Sequence, residues 1–561
     1  MALSLSPAAR RQITNGLTAF SLGTLCFIRR WYDLENLQPR GLDYFRAAPG
    51  DLTLLAATVV SALLLGAAFY GAWYWVERSS SRKLRAFAQL CFLLALMYPI
   101  ESVRRYWNTL TDHFDYGSNI SLWVVEAILA AGVVMLLSGN RRILKPARHV
   151  ALLLLLLFPA LMIDFVMNRL GAEQIEAYAN RPSAPPLPPR AAGATRVVWM
   201  IFDELDGHLA FDKRPAYLQL PEVDRLRAES VFATRAQETS TFTAIALPSL
   251  IAGRVFSNAQ ALDAGTLNLI PRGQSTPVDW RTEPSVFSRA RASGVNSALA
   301  GWHHPYCRIL GDQLVDCFAV PSTHSSSGLA EEALASHSGL WPTVAWLYHW
   351  QLVNLRNILL QRDPGTENLR DAETQRGQQQ QYFAIRDHAF QYAADPRIGL
   401  LLIHVPAPHL FPIYNRRERN FHVTPDLDYF DNVALVDRTL GELRQVLDQA
   451  GLADRTALLL TADHGLRPGA WIGRRGWTPE LDRLTGRQPP SIVPFIVKLP
   501  GQNHQVEVQQ PFSNVVAGDL ALAVLEGKIS TSEEAAAWLG QHRLEDADAW
   551  TATPAGPHPG E

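Results

Sequence analysis

The chain has 561 residues, too long for one ordinary domain, with 51 Lys and Arg set against 53 Asp and Glu. A formal net charge of -2 lacks the basic signature of a nucleic-acid partner, and four cysteines are too few for a disulfide scaffold. Hydrophobic residues make up 48% of the chain but crowd into its first 170 residues, so membrane and soluble parts are expected.

Leu52–Val76 is a charge-free run of 25 residues, enough to cross a bilayer as a helix. Ile13–Ile28, Ala86–Ile100, Ser118–Gly139 and Val150–Met167 are weaker apolar segments. Any one alone is also compatible with a buried core helix. Together they predict an α-helical membrane domain of about five transmembrane helices over residues 1–170. With the N-terminus inside, ten Lys and Arg fall on inner segments (Arg10, Arg11, Arg78, Arg82, Lys83, Arg85, Arg141, Arg142, Lys145, Arg148) and six on outer loops (Arg29, Arg30, Arg40, Arg46, Arg104, Arg105). The positive-inside rule therefore predicts a cytoplasmic N-terminus and an extracytoplasmic C-terminal part. Arg29-Arg30 after the first segment argues against a cleaved signal peptide. Glu126 and Asp164 fall inside apolar segments, which makes them functional candidates; the preferred reading is that both lie near helix ends and reach headgroups or water. Cys26 and Cys91 lie in apolar segments and read as packing residues.

Residues 171–196 read as a short juxtamembrane helix and a semi-rigid Pro-rich linker, RPSAPPLPPRAAGATR. From Val197 the texture changes. VVWMIF, VNSALAG, GLLLIHV, ALLLTAD and PFIVKLPG read as buried strands, with helical stretches such as YFDNVALVDRTLGELRQVLDQAG between them. This alternation predicts an α/β domain over 197–545 with a mostly parallel central sheet. Residues 361–380 are polar and expected to be exposed, and 546–561 read as a disordered tail. Cys307 and Cys317, nine residues between them, are candidates to pair if this domain is extracytoplasmic.

Two of these strands end in acids: VVWMIF in Asp203-Glu204 and ALLLTA in Asp463-His464-Gly465. Ligands of α/β sheets bind at the carboxyl ends of strands. A buried charge there is costly without a partner. Glu204, Asp463 and His464 are therefore candidate metal ligands, with Asp203 a further acid; carboxylates with one imidazole suit zinc or manganese. Thr243 precedes the helical stretch AIALPSLIAG. It is either a plain N-cap or a nucleophile whose hydroxyl a metal activates, and the two roles are compatible. His404 and His409 follow the strand GLLLIHV, and GWHHPYCR places His303 and His304 after another. His404 alone reads as structural, whereas His409, in a Pro-rich loop, reads as a site residue able to protonate a leaving group. His304 is a candidate for the substrate pocket.

In order and spacing these residues resemble the alkaline phosphatase and sulfatase superfamily, and more closely its membrane-bound branch of lipoteichoic acid synthases and lipid A phosphoethanolamine transferases. The resemblance covers roughly residues 10–530. It implies five transmembrane helices and an extracytoplasmic catalytic domain. The family's first-strand glutamate matches Glu204, and its threonine nucleophile, five residues before a proline, matches Thr243 with Thr241 and Pro248 around it. Its Asp-His-Gly matches Asp463, His464 and Gly465, and its substrate-facing histidine matches His409, with His404 in the preceding Ile-His pair. A further histidine beyond Asp-His-Gly is absent here, where Arg467, Arg474 and Arg475 are candidates to bind phosphate instead. Asp203 resembles one of the paired aspartates of sulfatases, yet Ala246 and Leu250 occupy positions where the formylglycine motif needs Cys or Ser and Arg. The cysteine flanks of the lipid A enzymes are also missing around Thr243.

The resemblance implies a phosphotransferase, dependent on a divalent metal (zinc or manganese), in a bacterial inner membrane with a periplasmic catalytic domain. A phosphoethanolamine or phosphoglycerol headgroup would pass from a phospholipid donor through Thr243 to an envelope glycan or lipid acceptor. The alternatives are a hydrolase of the same superfamily and a membrane scaffold without activity.

Overall fold

The computed structural model describes residues 6–27, 51–110, 131, 144–156, 158–159, 162–163, 180–321, 339–359 and 367–542, with short interruptions at 192, 263–264, 422–423, 425, 473–475 and 489–490. The segment Ser118–Gly139 apart from residue 131, Glu126, Asp164, the juxtamembrane stretch before residue 180, Arg474, Arg475 and the C-terminal tail lie outside the described residues.

Near the N-terminus lie α1 (Pro7–Cys26), α2 (Asp51–Arg78), α3 (Arg82–Leu110) and α4 (Leu144–Leu154). Among the described residues, Leu52–Arg78 alone is long and apolar enough to cross a bilayer, with a mean hydropathy of 2.2. Helices α1 and α2 cross closely at small residues: a Cβ on Gly23 would stand 2.8 Å from Gly66 N. Such contacts allow helix backbones to approach. At the other end of this pair, Glu77 accepts from Arg11 at 2.8 Å, Trp73 at 2.9 Å and Asn15 at 3.3 Å.

The Pro-rich stretch is no free spacer. Arg181 N donates to Cys307 O, Ala184 N to Leu314 O and Leu187 N to Asn296 Oδ1, so it lies along the α/β domain. That domain is built on an eight-stranded sheet of β1 (Arg196–Phe202), β2 (Val231–Ala233), β3 (Ser297–His303), β4 (Asp316–Pro321), β5 (Leu400–Val405), β6 (Thr456–Ala462), β7 (Phe495–Lys498) and β8 (Val506–Val508), in the order β8-β2-β7-β6-β1-β5-β3-β4. The pairs from β4 across to β6 are parallel, and β7 runs antiparallel to its neighbours β6 and β2. RVVWMIF, LLLIHV and TALLLTA are buried along their whole length. Continuous apolar runs of this kind arise because helices cover both faces of the sheet.

Four helices matter for the site. The first, α5 (Thr243–Ala252), is almost wholly buried and ends at Gly253, whose φ of +67° is the left-handed conformation that glycine adopts freely. Between β4 and β5 come α6 (Leu340–Leu359) and α7 (Glu367–Ala394). The polar segment expected to be exposed over 361–380 is partly packed instead: Gln375 is buried and donates to Pro412 O at 2.7 Å. Last, α8 (Tyr429–Gln449) starts at a capping box of Asp428 and Asp431, with Arg416 paired to both.

Candidate active site

Strands β3, β5, β1 and β6 are neighbours, and their carboxyl ends bring His303 and His304, His404, Asp203 and Asp463 to one edge of the sheet. Thr243, the first residue of α5, sits over this edge. Its Oγ1 lies 3.2 Å from Asp203 Oδ2 and 3.1 Å from His464 Nε2. Asp203, Asp463, His404 and His464 are fully buried. His404 Nε2 stands 3.5 Å from Asp203 Oδ2, and His464 Nε2 stands 3.4 Å from Asp463 Oδ2 and 3.7 Å from Asp203 Oδ1.

Hydrogen bonds fix both imidazole tautomers. His404 Nδ1 lies 3.1 Å from Trp302 O, and His464 Nδ1 lies 2.8 Å from Gly465 O. A carbonyl only accepts, so each Nδ1 carries a proton and each Nε2 is turned toward the carboxylates. Metal-binding histidines are usually held this way. Gly301 leaves room for the arrangement: a Cβ there would stand 3.0 Å from His404 Cβ and from the Tyr306 ring. The Tyr306 hydroxyl itself lies 3.2 Å from His404 Nδ1.

Asp203 Oδ1, His404 Nε2 and Asp463 Oδ2 are buried and have no hydrogen-bond partner among the described residues. One ligand atom from each of these residues lies within 4.8 Å of the others. Leaving buried polar atoms unpaired costs roughly 1–3 kcal/mol each, and more for charged groups. Two facing carboxylates add repulsion. Burial and the Asp203 charge push Asp463 up to about 7. Burial pushes Asp203 up as well, but His409, His404 and His464 outweigh it and hold that group low. This is therefore a candidate metal site, and its oxygen and nitrogen donors suit a divalent cation of the zinc or manganese kind.

The expected ligand Glu204 faces elsewhere. Its φ of +64° places it in the left-handed region, so the chain turns sharply after Asp203 and the two acids diverge. Its Oε1 accepts from Arg467 Nε at 2.8 Å and its Oε2 from Trp471 Nε1 at 2.9 Å. Burial pushes its pKa up, but Arg467, His409 and His464 outweigh burial and hold it below the usual carboxylate value. Both oxygens are thus engaged in charge-assisted bonds, and Asp203 takes the place facing Asp463. His404, which alone reads as structural and which the preceding Ile-His pair places near substrate, stands among the ligand atoms instead. His304 does not line an open pocket. It is fully buried, 4.9 Å from the Trp280 ring, with Nε2 3.3 Å from Thr243 O, and burial keeps it neutral.

Arg467 and His409 lie at the partly exposed side. Arg467 Nη2 stands 3.2 Å from His409 Nε2, and His409 Nδ1 2.6 Å from Leu410 O. Trp302 meets His409 edge to face at 5.0 Å. Several supporting residues carried no local signal. Glu238, pushed up to about 8 by burial, accepts from Gly465 N at 2.7 Å, and Asn514 Nδ2 donates to Ala462 O at 2.8 Å. The Tyr429 hydroxyl donates to Glu204 O at 2.7 Å. Each comes from a remote segment, and only folding makes it a neighbour. Cys307 and Cys317 form a disulfide, joining the turn after β3 to β4. A separate cavity of about 1260 Å³, lined by Tyr217, Arg416, Asp428, Arg438, Glu442 and Glu480 among others, includes none of these site residues, and its Arg416 and Arg438 are paired with acids.

Residues 206–517 match the model of the family described as type I phosphodiesterase / nucleotide pyrophosphatase. No curated protein sequence matches the chain. Among solved structures, similarity extends to Ps i-CgsB at 14% identity, TM-score 0.40, over 62% of this chain and 77% of that one. The PsFucS1 sulfatase from Pseudoalteromonas sp. follows at 14% identity and TM-score 0.36, over 62% and 74%. The lipoteichoic acid synthase LtaP from Listeria monocytogenes gives 13% identity and TM-score 0.34, over 61% and 76%.

Proposed function

The chain belongs to the type I phosphodiesterase / nucleotide pyrophosphatase family of the alkaline phosphatase superfamily, and on that premise we propose that it transfers a phospholipid headgroup through a covalent phospho-threonine on Thr243. The observation that carries this reading is the convergence of unpaired ligand atoms of Asp203, His404 and Asp463 beside the Thr243 hydroxyl. Asp203, Asp463, His404 and His464 would hold a divalent metal, zinc or manganese, which when bound would make the neighbouring hydroxyl more acidic and offset phosphoryl charge. Thr243 Oγ1 attacks phosphorus, its proton leaving along the hydrogen bond to Asp203 and on to water. The bond from phosphorus to the diacylglycerol oxygen breaks, and that oxygen takes a proton from His409. Arg467, held in orientation by Glu204, binds a non-bridging phosphoryl oxygen. A hydroxyl of an envelope glycan or lipid then attacks phosphorus and gives its proton to His409, while the bond from phosphorus to Thr243 Oγ1 breaks and Oγ1 takes a proton back from water.

The location belongs to the same reading: a multi-pass protein of a bacterial inner membrane, five helices crossing it, the N-terminus cytoplasmic and the catalytic domain periplasmic. The Cys307–Cys317 disulfide suits an oxidising compartment. Phosphatidylethanolamine and phosphatidylglycerol are the donors to test, with mass spectrometry of the Thr243 peptide after incubation: the added mass identifies the group carried. Thr243→Ala removes both adduct and turnover, and a variant that still turned over fully would refute the mechanism. The second reading is a phosphodiesterase with water as acceptor, favoured by the description of the matched family. Free headgroup phosphate among the products, with no transferred headgroup, would establish it. A scaffold without activity is disfavoured by the joint presence of Thr243, Asp203, Asp463 and His464 in reach of one another.

A further inference from the structure

The helix α6 belongs in sequence to the catalytic domain, between β4 and β5, yet it packs on α2. Val344 and Leu347 join an apolar cluster with Phe27, Leu54, Ala57 and Ala62. The Tyr348 hydroxyl donates to Ser61 O at 2.9 Å, its ring meets Phe27 at 5.7 Å, and Gln351 is hydrogen-bonded to Tyr98 of α3. On the other side of α6, Trp341 is 64% exposed and Leu352 66%. Taking apolar side chains of this size out of water is favourable, so water is a poor neighbour for this face.

Two observations identify what covers it. The first is composition. Trp341, Trp346, Tyr348 and Trp350 fall within ten residues, and Arg356 is the one Lys, Arg, Asp or Glu in Leu340–Leu359. Trp and Tyr are the residues that collect at membrane–water interfaces. The second is continuity, because α2 carries exposed apolar residues of its own, Leu52, Leu63 and Leu64, along the helix against which α6 is seated. We propose that α6 is an interfacial helix lying in the leaflet that holds the N-terminal half of α2, its exposed apolar side in contact with lipid. The proposal rests on the reading that α2 crosses a bilayer.

The next helix in the chain, α7, reaches the active site. On one side α7 is built into the sheet core through Tyr382, Ile385 and Ala389. On the other it grips the loop after His409: Gln378 donates to Leu410 O at 2.5 Å and accepts from Phe411 N at 3.1 Å, and Gln375 donates to Pro412 O. Seven residues separate α6 from α7. On this proposal the chain enters α7 from the lipid surface, and the His409 loop that α7 holds serves diesters embedded there.

The test uses the full chain in nanodiscs of phosphatidylethanolamine and phosphatidylglycerol. Cys91→Ser removes the exposed free thiol, while Cys26 is buried and Cys307 and Cys317 are paired. Nitroxide labels are then placed one at a time through Leu352→Cys, Leu63→Cys and Glu507→Cys, the last on the exposed part of β8. The expected result is that labels at 352 and 63 collide more with oxygen than with a water-soluble nickel chelate, and the label at 507 the reverse. A lipid-exposed label at 63 with a water-exposed label at 352 overturns the seat alone; water exposure at both overturns the membrane reading with it. These collisions need no turnover, so a wrong donor assignment leaves them unaffected. Coupling to the site is read by the double variant Leu352→Glu, Leu355→Glu, both residues being exposed on α6. Turnover of vesicle-embedded diester should fall about tenfold or more as the interfacial contact is lost, with hydrolysis of water-soluble bis(p-nitrophenyl) phosphate unchanged. Equal turnover on vesicles overturns the coupling.

Discussion

Glu204→Gln separates the two roles open to that residue. As a metal ligand it would take the cation with it. In the structure its two oxygens instead accept from Arg467 Nε at 2.8 Å and Trp471 Nε1 at 2.9 Å, in a fully buried position. Glutamine keeps one acceptor oxygen and turns an NH2 group toward the other donor, so one charge-assisted bond goes and the second weakens. Hydrogen bonds to charged groups are worth about 1.5–3 kcal/mol, and breaking a buried pair about 3–5 kcal/mol. Arg467 keeps some contact with water, its side chain being 23% exposed, which brings the expected loss to about 2–3 kcal/mol. Thermal unfolding should then fall by several degrees, at ~2–4 °C per kcal/mol for a large domain. Metal content measured by plasma mass spectrometry should stay at the wild-type ratio in Glu204→Gln and drop in Asp203→Asn. Turnover should fall in both, because Arg467 loses its orientation in the first. Loss of metal from Glu204→Gln, as complete as from Asp203→Asn, would refute the assignment.

Other outcomes follow from the same geometry. Chelation should abolish turnover and lower the unfolding temperature, since a cation bound at about a thousand times its dissociation constant contributes ~4 kcal/mol; calorimetry with and without added zinc or manganese reads both the loss and its recovery. Gly301→Ala places a methyl group 3.0 Å from His404 Cβ and the Tyr306 ring. It should cost about 1–3 kcal/mol of overpacking and weaken metal retention in competition with a chromogenic chelator. Asp437, which accepts from Val223 N at 2.8 Å, is pushed up to about 6 by burial. Its folded value lies above the unfolded one, so the native state binds more proton between about pH 4 and 6, and stability falls as pH rises through that window. Denaturant titrations of Asp437→Asn should show a flatter profile there, and an unchanged slope would refute the assignment.

Much of the catalytic fold is legible in the chain because buried parallel strands need continuous apolar runs, and VVWMIF, GLLLIHV and ALLLTAD have no other reading of comparable strength. The reversal of β7 is not legible. PFIVK carries the same apolar pattern whichever way it runs, and its direction depends on how the chain returns to the sheet. The seat of α6 is not legible for a related reason: LWPTVAWLYHWQLVNLRNIL lies in sequence beside the strands of the sheet, while its partners Ser61 and Phe27 lie about three hundred residues earlier. The polar stretch 361–380 reads as exposed because glutamines ordinarily are, yet Gln375 and Gln378 donate their amides to the backbone of the His409 loop.

At the active site the sequence by itself determined which strand ends carry charge, since an apolar run that stops at Asp203-Glu204 or at Asp463-His464 must place polar groups at the edge of a core. It also marked Thr243 and His409 as lying between them. Which of two adjacent acids faces Asp463 was decided only by the tertiary structure. A left-handed turn at Glu204 sends consecutive side chains in different directions, and Arg467 and Trp471, more than 260 residues away, take up the carboxylate that local spacing had assigned to a metal. His404 changed role for the same reason: its ring is oriented by Trp302 O and admitted by Gly301, contacts that exist only once β3 lies beside β5.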